Sequence, residues 1–398
     1  MPWQERSPME LRKQFVIEFR TGLFTMTDLC AQYVISRKTG YKWVARAEQD
    51  GLDGLDDRAR RPHGHPATTD PHVVAAILAA RRQFPTWSGD TLVRWLARQH
   101  PGAAWPSRTT AYEILNRAGA VRTRRRRTRS LVQPRTVLQP AHAPNELWTT
   151  DFKGEFLTRD GRYCHPLTVR DAFSRRVLRC DALLAATSAD TRRRFERAFA
   201  EFGLPGRIRS DNGRPFASTG LAGLSRLNVW WLRLGIGLER IAPGHPEQNG
   251  SHEQFHAVLK AATTRPPAAT ARAQQRRFDE FCRIYNEQRP HQALGGHVPA
   301  DLYRQSPRPL PRQVPPLEYP SHWDVRRVAS NGDIAWRSRR LFVSAALAEQ
   351  TIAFEEIDDG LFTAWLGEVA LARFDAHAWR WTEVLMWRRD GLRAPSAR

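Results

Sequence analysis

Asp151, Asp211 and one of two later glutamates stand where this 398-residue chain could build a metal-dependent site. Asp151 lies in Leu147-Trp148-Thr149-Thr150-Asp151-Phe152, which alternates as a strand. Asp211 ends Arg207-Ile208-Arg209-Ser210-Asp211 directly before Asn212-Gly213, a pair that forces a tight turn and leaves the carboxylate at a strand end. The third acid is Glu247, in a Pro/Gly-rich loop, or Glu253, three residues after Asn249-Gly250. Glu253 is the better ligand. Phe255, Val258 and Leu259 can face a core there, which places Glu253, His256 and Lys260 along another side of a helix. Magnesium or manganese takes hard oxygen ligands, and two such ions roughly 4 Å apart can activate an attacking hydroxyl and stabilise a leaving oxygen in phosphoryl transfer. That chemistry requires carboxylates delivered by separate elements.

The surrounding pattern predicts those elements. Strands are expected over Tyr163 to Val169 and Arg175 to Cys180, with turns at Arg159-Asp160-Gly161 and Asp171 to Ser174, then a helix over Thr191 to Phe202. Three antiparallel strands, a helix and a further strand make an α/β domain. Asp171 is expected to cap its own turn, while His245 and His252 flank the acidic loop, with a structural role the plainer reading. Arg289 and His291, after a helix over Phe278 to Asn286, are expected to brace the domain, and Lys260 is the candidate for holding a phosphate near the reacting bond.

Upstream, Pro8 to Arg46 reads as three short helices, with breaks at Thr21-Gly22 and Ile35-Ser36 and Thr27 as a plausible cap. The third helix carries Arg37, Lys38, Lys42 and Arg46, short polar and basic side chains suited to base edges and phosphates. Asp50 to Pro66 is too rich in Gly and Pro for a helix and holds Arg58, Arg60 and Arg61. A second trihelix repeats the plan over Val73 to Arg82, Asp90 to Gln99 and Arg108 to Ala118, capped by Ser107, with Arg108 and Thr109 opening its last helix. Six arginines then fill eight positions: Arg122, Arg124, Arg125, Arg126, Arg127 and Arg129. Their mutual repulsion predicts an extended segment neutralised by a phosphate backbone.

Composition agrees with a polyanionic partner. Lys plus Arg number 62 against 41 Asp plus Glu, a formal net charge of +21, which excludes an ordinary acidic metabolic enzyme. The four cysteines, Cys30, Cys164, Cys180 and Cys282, form no Cys-x-x-Cys pair, so neither a disulfide framework nor a structural zinc site is written. No apolar run approaches a membrane span and the start lacks a secretory core, so a soluble, intracellular protein is expected. Beyond the six prolines of Pro307 to Pro320, short alternating strands recur over Val325 to Val328, Ile334 to Arg337, Arg340 to Val343, Thr351 to Glu355, Leu361 to Trp365 and Glu368 to Phe374. A small SH3-like barrel fits them, with Arg326, Arg327, Arg337, Arg339 and Arg340 clustered early.

The chain resembles bacterial insertion-sequence transposases of the DDE type, whose catalytic core is shared with retroviral integrases. The resemblance rests on Trp148-Thr149-Thr150-Asp151, on Ser210-Asp211-Asn212-Gly213-Arg214-Pro215-Phe216, and on Pro243-x-x-Pro246 with Asn249-Gly250-x-x-Glu253. Tyr285-Asn286-x-x-Arg289-Pro290-His291-x-Ala293-Leu294 completes it, in order between about Leu147 and Leu302. It implies an RNase H-like fold with Asp151, Asp211 and Glu253 as the catalytic triad and metal ligands, binding two magnesium ions for which manganese can substitute. The interval of the family's shorter version lands on Glu247. Glu253 follows the Asn-Gly step as the family glutamate does, and Trp230-Trp231-Leu232 with Gly220 and Gly223 reads as an insertion that lengthens the interval.

The expected organisation is a helix-turn-helix unit at 1–50, a linker at 51–68, a second unit at 69–120, an arginine-rich linker at 121–144, the core at 145–305, a proline-rich linker at 306–322 and the barrel at 323–398. The expected activity is binding of double-stranded DNA at the inverted repeats of an element, cleavage there, and attack of the 3′-hydroxyl on target DNA, by a homo-oligomer that is at least a dimer on DNA. Two rivals are a DNA-binding regulator with an inactive core and an RNA-directed nuclease.

Overall fold

The structure, a computed structural model, describes residues 7–57, 68–121, 139–241 and 250–388. Two compact units divide it at Thr69/Asp70. Among the described residues no helix is long and apolar enough to cross a membrane.

The first unit holds helices α1 (Pro8–Arg20), α2 (Met26–Gln32) and α3 (Arg37–Asp50) around Phe15, Val16, Leu29, Trp43, Val44 and Leu55. Ser7 and Glu10 form a capping box that starts α1. The cap of α2 is Thr25, not Thr27: the Thr25 hydroxyl oxygen accepts the Asp28 N–H at 3.2 Å, so the helix starts two residues earlier than expected. Where α3 crosses α2 only glycine fits at position 40, because a Cβ would stand 2.7 Å from Cys30 Sγ and Met26 Sδ. The helix runs on to Asp50, and Gly51–Leu55 adds a 3-10 turn where breakers had argued against any helix. Leu55, fully buried beneath Arg12, supplies the apolar anchor that outweighs those glycines.

The second unit opens with α4 (Pro71–Gln83), α5 (Gly89–Gln99) and α6 (Arg108–Arg117), the last capped by Ser107 as expected. Its core includes Ile77, Leu92, Ala111 and Leu115, with Phe84 stacked on Trp87 at 3.9 Å. Ile284 packs against that core, and Arg98 grips Asp301 at 2.8 and 3.3 Å.

The central sheet comprises β1 (Leu147–Phe152), β2 (Phe156–Leu157), β3 (Tyr163–Asp171), β4 (Val177–Leu183), β5 (Arg207–Ser210) and β6 (Gly237–Arg240). Its order is β2-β3-β1-β5-β6, with β4 also on β3; β1–β3 and β3–β4 are antiparallel, β1–β5 and β5–β6 parallel. Strand β4 starts at Val177, later than expected, because Arg175 takes a left-handed turn conformation (φ 62°). Helices α7 (Ser188–Phe202) and α8 (Arg226–Arg233) bury Phe195, Phe199 and Trp231 with Trp148 on one face. Helices α9 (Gly250–Thr263) and α10 (Ala271–Glu287) pack Phe255, Leu259, Phe278 and Tyr285 with Cys164, Val177 and Cys180 on the other. Alternation along β1 therefore sends Trp148 to one helical layer and Thr149 to the opposite one.

This corrects the insertion reading. Trp230 and Trp231 belong to α8, and Trp231 is fully buried in the main core, so the segment between β5 and β6 is a structural layer. The excursion holding Gly220 and Gly223 is a 3-10 turn against the C-terminal strands, with Leu221 and Ala222 half-buried on the main core. The last part contains β7 (Asp324–Arg327), the hairpin β8 (Asp333–Trp336) and β9 (Arg339–Phe342), and β10 (Thr351–Asp358), β11 (Leu361–Leu366), β12 (Val369–Asp375) and β13 (Arg380–Arg388). Five strands form an antiparallel sheet in the order β13-β12-β11-β10-β7, and β13 had no counterpart in the sequence reading. Trp336 of the hairpin stacks on Phe354 at 4.3 Å and meets Phe362 edge-on at 4.9 Å, while no backbone ladder among the described residues joins hairpin and sheet. The proline-rich stretch read as a spacer is pinned instead: the Arg308 guanidinium donates to the carbonyls of Pro205, Leu234 and Gly235 at 2.9–3.1 Å, and Leu310, Val314 and Leu317 pack on the main core.

Candidate active site and nucleic-acid surfaces

Strand register brings the two aspartates together. Parallel pairing aligns Leu147 with Arg207, Trp148 with Ile208 and Thr149 with Arg209. Two residues beyond the last pair stand Asp151, still within β1, and Asp211, just past the end of β5, near enough for the Asp211 charge to act on Asp151. The motif after β5 is a bracket that aims Asp211. The Asn212 side-chain amide donates to the Ile241 carbonyl at 2.8 Å, and the Gly213 N–H donates to the Asp211 carboxylate. A Cβ at position 213 would stand 2.9 Å from Asp211 Oδ2, so glycine is what leaves the carboxylate its place. Phe216, almost fully buried against Phe152 and Trp231, anchors the far end.

Electrostatics at this point fit a divalent cation. Burial, then the Asp211 charge, then more weakly Glu253, push Asp151 up to about 7, against opposing help from the Phe152 backbone and Lys153. Burial likewise raises Asp211, whose Oδ1 is buried with no hydrogen-bond partner. An orphaned carboxylate oxygen beside a carboxyl that resists ionisation is a hard-oxygen donor set awaiting positive charge, so these residues fit a divalent ion. Glu253, in the first turn of α9, is exposed and close enough for its charge to act on Asp151. Among the described residues, however, no three His, Cys, Asp or Glu side chains are gathered tightly enough to hold one ion. The preceding loop, with His245, Glu247 and Asn249, lies outside the described residues.

The raised carboxyl has a thermodynamic consequence. A group whose folded value (about 7) exceeds its unfolded one (about 3.9) is most favourable protonated; stability falls as pH rises from about 4 to about 7 and stays lowered above. Asp151→Asn is therefore expected to stabilise the metal-free protein at pH 8 by about 1–4 kcal/mol, an advantage that shrinks toward pH 4. Denaturant titrations at the two pH values measure it.

Two histidines staple α9 to the sheet beneath the aspartates. His252 reaches Thr149 Oγ1 at 3.0 Å and Thr168 Oγ1 at 2.7 Å, and His256 shares Thr168 Oγ1 at 2.8 Å. Burial holds both neutral, helped by Arg170: His252 lies well below its ordinary value and His256 falls to about 3. The 3.6 Å approach of His256 Nδ1 to Asp151 Oδ2 is thus a neutral imidazole facing a carboxyl, not an ion pair. Buried Arg170 adds a third tie, donating to the Ser251 carbonyl at 3.0 Å with its guanidinium 4.5 Å above the Phe255 ring. The expectation that His256 shares a side with Glu253 and Lys260 is corrected: Glu253 and Lys260 are exposed, His256 is buried. Positions 252, 255, 256 and 259 make the i, i+3, i+4, i+7 stripe that packs inward, a signal present in the sequence but masked by reading histidine as polar. Sequence reasoning also missed Lys153, whose ammonium burial and nearby Lys260 disfavour, so that two cations flank the acids.

The remaining candidates separate clearly. Asp171 is a cap: its carboxylate accepts the N–H groups of Asn145 (2.8 Å) and Ser174 (2.7 Å) and the Ser174 hydroxyl (2.6 Å). Arg289 lies 5.7 Å from the Tyr285 ring and His291 meets the same ring at 4.7 Å, as bracing residues would. Arg37, Lys38 and Lys42 are exposed on α3 with Arg46 half-buried; Lys42 and Arg46 join Arg12 around the Trp43 indole, at 4.6, 5.1 and 4.1 Å. Arg108 and Thr109 are exposed at the start of α6. Arg58, Arg60, Arg61, Arg122, Arg124, Arg125, Arg126, Arg127 and Arg129 lie outside the described residues.

A basic groove runs between the α4–α5 turn and helices α9 and α10. Arg159, Arg265, Arg276, Arg277 and Arg289 line it, with Phe84, Trp87 and the alanines of α9 as apolar wall. Ala261 and Ala262 directly follow Lys260, which puts the groove's near end about 12 Å along α9 from Glu253.

A sheet that sets two aspartates at adjoining strand ends, followed by a helix bearing a glutamate, defines an RNase H-like integrase core. Integrase core domain models match residues 141–246 and 234–299, a helix-turn-helix domain model matches 11–63 and a homeodomain-like domain model 39–115. The chain is 31% identical over 193 residues to the insertion element IS407 uncharacterized 31.7 kDa protein of Burkholderia multivorans, covering 48% of this chain and 67% of that one. To the insertion element IS476 uncharacterized 39.2 kDa protein of Xanthomonas euvesicatoria it is 29% identical over 192 residues, covering 48% of this chain and about half (54%) of the relative. The chain belongs to the bacterial insertion-sequence transposases of the retroviral integrase superfamily. Solved structures with local likeness include the HTLV-2 integrase catalytic core domain in complex with magnesium (17% identity, TM-score 0.33, 41% of this chain and 99% of that). Another is the simian T-cell lymphotropic virus intasome with PP2A regulatory subunit B56 gamma (19%, TM-score 0.37, 73% and 96%).

Proposed function

We propose that the protein binds the inverted-repeat ends of its own insertion sequence as duplex DNA, cleaves there, and joins the freed 3′-hydroxyl to target DNA. In the joining step the 3′ oxygen forms a bond to a target phosphorus while the target's own P–O bond breaks, so no covalent protein intermediate is needed. The observation that supports this reading is the Asp211 charge acting on buried Asp151 at the end of paired strands β1 and β5, together with the orphaned oxygen of Asp211. Asp151, Asp211 and Glu253 would hold two magnesium ions, or manganese in their place. Bound there, such ions supply charge stabilisation to the attacking and leaving oxygens of phosphoryl transfer. The chain's own groups do the rest. Lys153 and Lys260 draw a phosphate toward the acids, the neutral His252–Thr168–His256 cluster fixes α9, and the Asn212–Gly213 bracket sets the direction of Asp211.

The two helix-turn-helix units and the arginine-rich segment at 121–144 supply DNA affinity, including Arg58, Arg60 and Arg61 between the units. The core spans 145–305 and is followed by the strap at 306–322 and a small SH3-like barrel at 323–398. Synapsis of two ends makes the working form at least a dimer on DNA. A strand-transfer assay with end-bearing duplex, comparing the wild type with Asp211→Asn, tests the activity. The second reading, a DNA-binding regulator with an inactive core, draws on the exposed position of Glu253 outside any gathered ligand group; equal activity of the two proteins would favour it.

The groove beside α9 carries the backbone of the bound end under this reading. Each phosphate neutralised by an arginine releases counterions and adds about 0.9 to the salt slope. Neutralising Arg159, Arg265 and Arg276 together by glutamine is expected to lower the slope of log affinity against log salt by about 2–3. A slope equal to the wild type's would remove the groove from the DNA path.

A further inference from the structure

The last helices of the two trihelical units present the same exposed side chains from the same scaffold. Helix α3 begins Ser36-Arg37-Lys38-Thr39-Gly40-Tyr41 and α6 begins Ser107-Arg108-Thr109-Thr110-Ala111-Tyr112. In each, the serine hydroxyl oxygen accepts the N–H of the threonine three residues on, at 3.2 and 3.3 Å, and the two hydroxyls meet at 2.9 and 3.1 Å. In each, the small fourth residue is buried, and the seventh and eighth, Trp43-Val44 and Ile114-Leu115, enter the core. What remains outside also matches. Arg37 and Arg108 are exposed at the first helical position, and Tyr41 and Tyr112, at the fifth, are 58% and 51% exposed. Tyrosines left outside a core while their neighbours are buried offer a ring and a hydroxyl to something other than the fold.

Arginine at the start of a helix in the major groove pairs bidentately with guanine, and residues one turn later on the same face meet the next base pairs. Two helices with the same arginine and the same tyrosine at the same spacing impose the same demand on a base step. We infer that the duplex recognised by this chain carries two copies of one short step containing guanine, one read by Arg37 and Tyr41, the other by Arg108 and Tyr112. The faces differ at the second and sixth positions, Lys38 and Lys42 against Thr109 and Glu113. Lysine adds phosphate affinity there, whereas a glutamate accepts from cytosine N4, so the two copies share a centre and diverge at the flank. This rests on the DNA-end reading above and adds to it the architecture of the site.

Selection of random duplexes by the full chain without divalent metal tests it. Enriched sequences are expected to contain the shared step twice. Arg37→Ala should erase selection at one copy and Arg108→Ala at the other, each weakening binding roughly ten- to hundredfold. The double change K38T/K42E, on an exposed face, should make the flanks of the two copies converge. Two unrelated enriched sequences, or arginine variants that weaken every duplex equally, would overturn the inference and leave end binding intact. Absence of any enriched sequence would overturn both.

Discussion

Asp211→Asn is expected to lower end cleavage and strand transfer by at least about 10³-fold, because charge stabilisation at a phosphoryl-transfer site contributes several kcal/mol and each 1.4 kcal/mol is tenfold in rate. Duplex affinity should change by less than about twofold, since phosphate contacts set it and Asp211 makes none of them. The substitution keeps the volume of the side chain and its link to the Gly213 N–H. It removes charge from a carboxylate that burial already disfavours, so the fold is not weakened. Lost activity with intact binding and intact stability separates a ligand from a structural residue. Activity equal to the wild type in the same assay would leave the core a scaffold and the protein a regulator.

Acid is expected to release the helix that carries Glu253. His252, His256 and His291 all have folded values below the ordinary 6.5, the last two falling to about 3, through burial first, then through His256 for His252, Lys153 for His256 and Arg289 for His291. A depressed histidine means that the unfolded chain binds the extra proton, so its stability contribution is complete above about 6.5 and is lost as pH falls toward about 3. Each contributes up to about 1.4 kcal/mol per pH unit, while Asp151, holding its proton in the folded state between about 4 and 7, opposes one of them. Two net protons remain. Stability should therefore fall by about 3 kcal/mol between pH 6.5 and pH 5. Because His252 and His256 tie α9 to Thr149 and Thr168, amide exchange on α9 should accelerate before that on β1. A stability flat over that interval would contradict the assignment of neutral buried histidines.

Much of the site was legible because its positions are local signals. Alternation marked β1, the Asn-Gly pair marked the end of β5, and serine before a polar helix start marked α6. The meeting of Asp151 with Asp211 was not legible, since parallel register is set by packing between residues sixty apart. Trp230 and Trp231 misled because α8 buries five successive residues, Leu227 to Trp231, and leaves only Arg226 exposed with Leu232 and Arg233 half-buried, so a short mostly apolar run reads as an insertion rather than as a helix. The motif Tyr285-Asn286 was visible, but not its work, in which the Asn286 side chain accepts from the Val177 N–H and donates to the Val177 carbonyl, both at 2.9 Å, to bind α10 onto β4. Strand β13 escaped because Met386, inside it, takes a left-handed conformation that buries it beside Leu385, and its pairing with β12 shifts register, so its apolar residues do not alternate.

The central claim is that Asp151, Asp211 and Glu253 act together on divalent cations beside a phosphodiester. A structure of the full chain on an element-end duplex with manganese, located by its anomalous scattering, tests it most directly. Manganese at the strand ends held by Asp151 and Asp211, with Glu253 among its ligands, is the expected result. Metal held by the aspartates alone while Glu253 stays in solvent, or no metal at the strand ends, would contradict the account.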